Sequence, residues 1–499
     1  MPTNGINGVH ATPTPTLDVG AIFAAKRLLV LGGTGFLGKI LWVMLLDRYP
    51  QVEKLYLLVR SSKTMTSEER FWKNIATSEA MKPLKDKLGQ EGFEALLREK
   101  IVPIDGDVGR ENCGVAPEVI RMLHDTVDAV VNVAGVIEFN SPLDESLHAN
   151  AFGAKNLLAL CRALGETKLL HTSTCFVAGH RVGPIFEENP TTHPFPRCDE
   201  LGKELWDPER EITECLDIIA QAHHRCDDAF RQSGFAEQAR KNLAEKGEPS
   251  AGKAFTEELA KVRRRFVSDK LIEAGKDRAE HWGWHNTYTY TKSIGEQIIA
   301  QSGIPFVIVR PASCESTLAF PFPGWNDGMS TSSVVIYLAL KGVVQIPGRA
   351  VPLDFIPSDT VVAGMLLALA ELLEGSNRPV YQLGMSDVNP ATASRTGELI
   401  GLYKRQHYKK KSTGNPLFNM AMQHFESIAV DPKRFARIGP PGRAKALKEA
   451  ARALRSTGVG PLRSLASSLS SFAKQEEKIG DILNLFIPFT AERNGPFDC

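Results

Sequence analysis

From Lys26 onward, short apolar runs alternate with longer stretches whose apolar residues recur at helical spacing. "KRLLVL" reads as a strand. "FLGKILWVMLLDR" follows a cluster of glycines and places Ile40, Val43, Met44 and Leu45 on one helix face. "EKLYLLVR", "KIVPIDGDV", "VDAVVNVAGVI" and "TKLLHTSTCFVAG" repeat the strand signal, each preceded by a helical stretch. Apolar runs without strict alternation fit strands covered on both faces, so the pattern predicts an α/β fold with a doubly wound parallel sheet of Rossmann type.

The same pattern divides the chain. Residues 1–24, rich in Pro, Thr and Gly, read as a disordered leader with neither the basic start nor the apolar core of a secretory signal. Residues 25–385 form the nucleotide-binding domain. Within it, 180–285 is a charged helical insertion, with Leu259, Val262, Phe266 and Val267 on one side and Arg263, Arg264 and Arg265 turned partly outward. Its place between two candidate reacting segments predicts a lid over the reacting centre. Residues 386–499 form a smaller, mainly helical domain. The apolar run from Val361 to Leu373 is too short for a bilayer and is broken by Glu371, so it predicts a buried helix and no transmembrane segment.

Composition narrows the function. A formal net charge of +1 over 499 residues argues against a nucleic-acid partner. The balance is uneven, however: residues 400–463 hold fourteen Lys/Arg and three Asp/Glu. There Leu447, Ala451 and Leu454 form a narrow apolar stripe beside Lys445, Lys448, Arg452 and Arg455, a pattern that predicts peripheral contact with an anionic membrane surface or the phosphates of CoA. The eight cysteines stand singly with no CxxC pair, which predicts no metal site and a reducing, cytoplasmic setting.

Two segments carry chemistry. Gly32, Gly35 and Gly38 lie between the first strand and its helix, where absent side chains let a pyrophosphate approach backbone N–H groups. The second strand ends at Arg60, with Lys63 close behind, where an NAD-preferring site would carry an acid; the cations favour NADPH. Asp107 and Val108, at the third strand's end, face the expected adenine, and Ala134 and Gly135 end the fourth. Ser173 and Thr174 end the next strand, and either hydroxyl could hold a carbonyl oxygen. In "HNTYTYTKSIGE" Tyr288 lies four residues before Lys292, on the same helix face, whereas Tyr290 points elsewhere. A neighbouring ammonium would lower the phenol's pKa of about 10 and let Tyr288 act as proton donor.

With "GTGFLGK", "LLVR", "STCFVAG", "NTYTYTKSIGE", "IVRPA", "PFPGW" and "DFIPSDTVVAGML", the chain resembles the extended short-chain dehydrogenase/reductases, and more specifically the fatty acyl-CoA reductases, from about Arg27 onward. The resemblance implies NADPH-dependent reduction of a long-chain acyl-CoA to aldehyde and on to alcohol. It makes Thr174, Tyr288 and Lys292 the catalytic trio, with Ser173 a neighbouring hydroxyl. It also implies that Gly32, Thr34, Gly35, Phe36, Leu37, Gly38, Lys292 and Pro311 hold the cofactor, and that Phe320, Phe322 and Trp325 wall the acyl channel. The last residues resemble the middle of the family's C-terminal domain, which implies a truncated chain. Alternatives remain: a two-electron reductase stopping at the aldehyde, an acyl-carrier-protein substrate, a thioester on Cys175 or Cys314, a sugar-nucleotide epimerase, or a non-catalytic NADPH-binding module.

Overall fold

The computed structural model describes residues 17–328, 332–343, 345–349, 351–411, 414–424, 426–457, 459–491 and 496–499. Seven strands build the central sheet: β1 (Arg27–Leu31), β2 (Lys54–Val59), β3 (Ile101–Asp105), β4 (Ala129–Asn132), β5 (Lys168–Thr172), β6 (Phe306–Pro311) and β7 (Val380–Leu383). Their spatial order is β3-β2-β1-β4-β5-β6-β7, and every neighbouring pair is parallel. The chain proceeds in one direction from β1 to β3 and in the other from β4 to β7. This reversal opens a crevice beyond the carboxyl ends of β1 and β4, where such sheets take ligands.

Both faces of the sheet are covered, which is why its strands are apolar without alternation. On one face lie α1 (Phe36–Arg48) and, later in the chain, a long apolar helix; Val30, Leu57 and Val131 point into that core. On the other face the helical insertion supplies α2 (Pro208–Asp227) and α3 (Gly252–Trp282), followed by α4 (Thr287–Ala300), with Leu29, Leu31 and Ile308 in their core. The run assigned to a buried helix is α5 (Ser358–Glu374), packed on α1.

Two expectations need correction. The leader does not extend to residue 24, because Val19–Phe23 is a helix capped by Asp18, with Phe23 fully buried; residues 1–16 lie outside the described residues. The helical insertion packs on α4. Tyr290, on the face of α4 away from Lys292, donates its hydroxyl to Glu211 of α2, and Glu211 also accepts from Arg278 at 2.6 Å and Trp282 at 3.0 Å on α3. Finally, the stripe of Leu447, Ala451 and Leu454 lies on α6 (Pro440–Ser456), which forms a helical hairpin with α7 (Gly460–Asn484). Ala444 and Ala451 of α6, and Ala466 and Ala473 of α7, are buried. Arg443 meets Glu476 at 2.8 Å, and Lys448 meets Glu477. The neighbouring helix thus takes up the apolar stripe, leaving the outer face basic. No helix among the described residues is long and apolar enough to cross a membrane.

Candidate active site

The glycine turn is built by steric necessity. A Cβ on Gly32, whose φ is +81°, would stand 2.5 Å from the Ala134 nitrogen, and one on Gly38 would stand 2.1 Å from the Gly32 oxygen. Only bare backbone lets α1 start this close to β1 and β4. Gly35 caps α1 without a side-chain hydrogen bond, and the first turn (Phe36, Leu37, Gly38) contains no acid, which leaves the positive end of the helix dipole unopposed there. Thr34 lies within this turn. Lys39, half a turn further on, is nearly buried and reaches Asp327 at 2.6 Å. That pair, with Phe36 and Trp325 rings 5.2 Å apart, ties the "PFPGWND" segment to the glycine turn. Phe320 and Phe322 pack partly buried against the core on that side of the sheet, the core that also takes up Phe176 and Cys314.

Arg60 and Asp107 come together, Nε to Oδ2 at 3.2 Å, at the open end of β2 and β3, while Lys63 is exposed nearby. The Asp107 N–H donates to the Cys113 oxygen at 2.7 Å and Asp107 Oδ1 accepts from Gly109, which fixes the loop that carries Val108.

At the reacting end, Thr174 caps the short turn after β5. Its hydroxyl donates to the Pro311 carbonyl at the end of β6 at 3.2 Å and accepts from the Phe176 N–H at 3.3 Å. Tyr288 is buried in the first turn of α4, close to the Thr174 hydroxyl. Burial raises the phenol's pKa, the Cys314 thiol nearby adds to the rise, and the Thr174 hydroxyl opposes it. The expected lowering by Lys292 is therefore corrected: desolvation dominates, and the phenol stays protonated. Lys292 is buried with its ammonium donating to the Thr172 carbonyl at 3.0 Å. A Cβ on Gly135 would lie 2.8 Å from its Nζ. Burial lowers its pKa to about 8, against an upward pull from Glu296.

Sequence reasoning missed several residues around this lysine. Asn132 accepts from the Ala134 N–H through Oδ1 and donates through Nδ2 to His171 Nδ1 at 3.1 Å. Asn150 donates to Thr291 at 2.9 Å. His171 is held neutral by burial and by the Lys292 charge. Their signal was a polar residue at the end of an apolar strand, as in "AVVN" and "KLLHT". With Lys292 they line a cavity of about 10 Å3, and Asn150 Oδ1, His171 Nε2, Thr172 Oγ1 and Ser173 Oγ are buried without hydrogen-bond partners. Buried polar atoms are normally satisfied, so these await a polar group or water. Ser173 lies in this set, one residue from the Tyr288–Thr174 contact.

The cysteines give no nucleophile. Cys175 donates to the Arg310 carbonyl at 2.8 Å, and burial drives its pKa well up; burial likewise pushes Cys314 to about 12. Away from the trio, His193, Cys198 and Asp199 bring potential ligand atoms within 4.8 Å of one another, but His193 Nδ1 is already paired with Glu188 at 2.6 Å.

A parallel sheet with a glycine turn at its switch point and a buried Tyr-x-x-x-Lys pair beside a strand-end hydroxyl defines a nucleotide-dependent dehydrogenase/reductase. The family described as male sterility protein matches residues 30–365. The chain is 32% identical to fatty acyl-CoA reductase 8 of Arabidopsis thaliana over 81% of its length and 75% of that protein. It is 29% identical to fatty acyl-CoA reductase 1 of the same plant, over 79% and 73%. With the alcohol-forming fatty acyl-CoA reductase of Simmondsia chinensis the identity is 31%, over 76% and 70%. The chain belongs to the fatty acyl-CoA reductase (male sterility protein) family.

Proposed function

We propose that this protein reduces a long-chain fatty acyl-CoA with NADPH to the aldehyde and then to the primary alcohol, releasing CoA. The observation that carries the reading is the contact of Tyr288 with Thr174 one helical turn from the buried Lys292. The glycine turn and the orphaned polar atoms around Lys292 suit a dinucleotide, and the exposed Arg60 and Lys63 would meet its 2′-phosphate. When bound, the nicotinamide supplies the hydride.

The protein's part is positioning and proton transfer. Thr174 can turn its O–H from the Pro311 carbonyl to the substrate oxygen, while Tyr288, kept protonated by burial, hydrogen-bonds the same oxygen and donates its proton as negative charge develops there. Lys292, its Nζ against Gly135, would hold the ribose of the bound dinucleotide and stabilise the phenolate left behind. The first reduction yields a hemithioacetal, whose collapse expels the thiol and leaves an aldehyde. The same groups can serve a second reduction. Peripheral membrane contact through the basic outer face of residues 400–463 is part of this proposal, resting on charge alone.

The test is NADPH oxidation with palmitoyl-CoA, with aldehyde, alcohol and free thiol quantified together. Two NADPH per thiol with alcohol as product is expected; one per thiol with accumulating aldehyde would replace the four-electron reading by a two-electron one. A pH profile adds a second check. As pH rises through about 8, Lys292 loses its proton and with it the charge that steadies the phenolate. The expected result is a fall of kcat/KM above that pH, whereas a flat profile to about pH 9.5 would show that the Lys292 charge is not required.

A further inference from the structure

Tyr288 has an apolar side as well as a polar one. The polar groups gather at Gly135 and Lys292, one helical turn away. At Tyr288 itself stands Phe139, ring centroids 6.2 Å apart. Phe139 stacks on Phe489 at 5.0 Å with the planes inclined by 28° and meets Phe486 at 5.9 Å. Phe489 in turn lies 4.8 Å from Phe176, edge to face, and 6.2 Å from His285. Phe176 is two residues past Thr174, and His285 is three residues before Tyr288. Phe489 therefore closes a ring of aromatic side chains around the two groups that hold the reacting oxygen.

Phe489 is brought there from far along the chain. The short helix Ile487–Thr490 is fastened to the strand Gln345–Pro347 and the residues after it: Thr490 Oγ1 donates to the Pro347 carbonyl at 2.8 Å, and the Arg349 N–H donates to the Thr490 carbonyl at 2.9 Å. None of these bonds involves the catalytic groups, so the ring is held in place by a different part of the fold from the one that holds Tyr288.

A thioester carbonyl carries two unlike substituents, a polar thiol carrier and an alkyl chain. Once the carbonyl oxygen sits between Thr174 and Tyr288, the substituent that gains from facing the Phe139–Phe489 stack is the apolar one, because the stack presents aromatic carbon that covers methylenes. We propose that Phe489 is a specificity-determining residue whose ring, with Phe139, forms the wall for the methylenes next to the thioester carbonyl. This rests on the acyl-CoA reading and names the part of the site that selects the chain.

The test uses the full chain and compares acetyl-, octanoyl-, palmitoyl- and stearoyl-CoA for wild type, Phe489→Leu and Phe489→Ala. Binding of cis-parinaric acid, followed by its fluorescence, is measured alongside. The expected result is a fall of about tenfold or more in the ratio of kcat/KM for palmitoyl- over acetyl-CoA in Phe489→Ala, with a smaller change in Phe489→Leu and NADPH affinity unaltered. Parinaric acid affinity should fall by a similar factor. Unchanged chain-length ratios and unchanged parinaric acid binding in variants that still bind NADPH would overturn the proposal. If wild type turned over none of the four thioesters, the acyl-CoA reading would fall, and the fluorescence arm would still decide whether Phe489 lines an apolar chain site.

Discussion

Replacing Tyr288 by Phe is expected to lower acyl-CoA turnover by about 10²- to 10⁴-fold, the usual worth of a positioned general acid, while leaving NADPH binding intact. The phenol is buried close to the Thr174 hydroxyl, where it can reach the same substrate oxygen. The informative comparison is Tyr290→Phe, two residues on. Tyr290 gives its hydroxyl to Glu211, with the Cys215 sulfur at 3.0 Å, inside the contact between α2, α3 and α4. Removing that hydroxyl should cost about 1–3 kcal/mol of stability, as for a hydrogen bond to a charged group, and leave kcat nearly unchanged. Rates from both variants, with NADPH titration by fluorescence and thermal melts, separate the roles. A Tyr288→Phe enzyme within tenfold of wild type would remove Tyr288 as the acid.

That contrast shows what could be read from sequence. A four-residue spacing on one helix needs no tertiary information, so the Tyr288–Lys292 face was legible, as were the glycine turn and the order of strand and helix. The direction of the Tyr288 pKa was not. Two neighbours in sequence suggest a Coulomb effect, but depth of burial depends on everything packed above them, and here burial is the largest influence on the phenol. The long insertion was legible as helices, yet its destination was not, because the residue that anchors it, Tyr290, gives no sign in sequence that Glu211 lies across from it. Phe489 was invisible as a site residue for the same reason: about two hundred residues separate it from Tyr288. The stripe on α6 carried a real amphipathic signal, but periodicity reports that a face is covered without saying whether lipid or a neighbouring helix covers it.

The second large effect is expected at Glu296, one turn after Lys292. Its carboxylate receives two bonds from Arg310 of β6, 2.9 Å at Nε and 2.6 Å at Nη2, with both side chains buried. Glu296→Gln leaves the guanidinium buried without its counter-charge, for which a loss of about 3–5 kcal/mol is expected. The functional consequence follows from the same charge. Burial lowers the Lys292 pKa to about 8, and Glu296 is what opposes the fall, so its removal should carry the pKa lower still and move the alkaline limb of kcat/KM to lower pH. Denaturant melts and a pH profile of the surviving fold read the two effects separately. Replacing both partners, Glu296→Leu with Arg310→Met, should recover most of the stability, since no uncompensated charge then remains, while the alkaline limb stays displaced. A limb that returned with the stability would mean that Glu296 acts on Lys292 only through the fold; a limb that stayed displaced would mean that it acts through its charge.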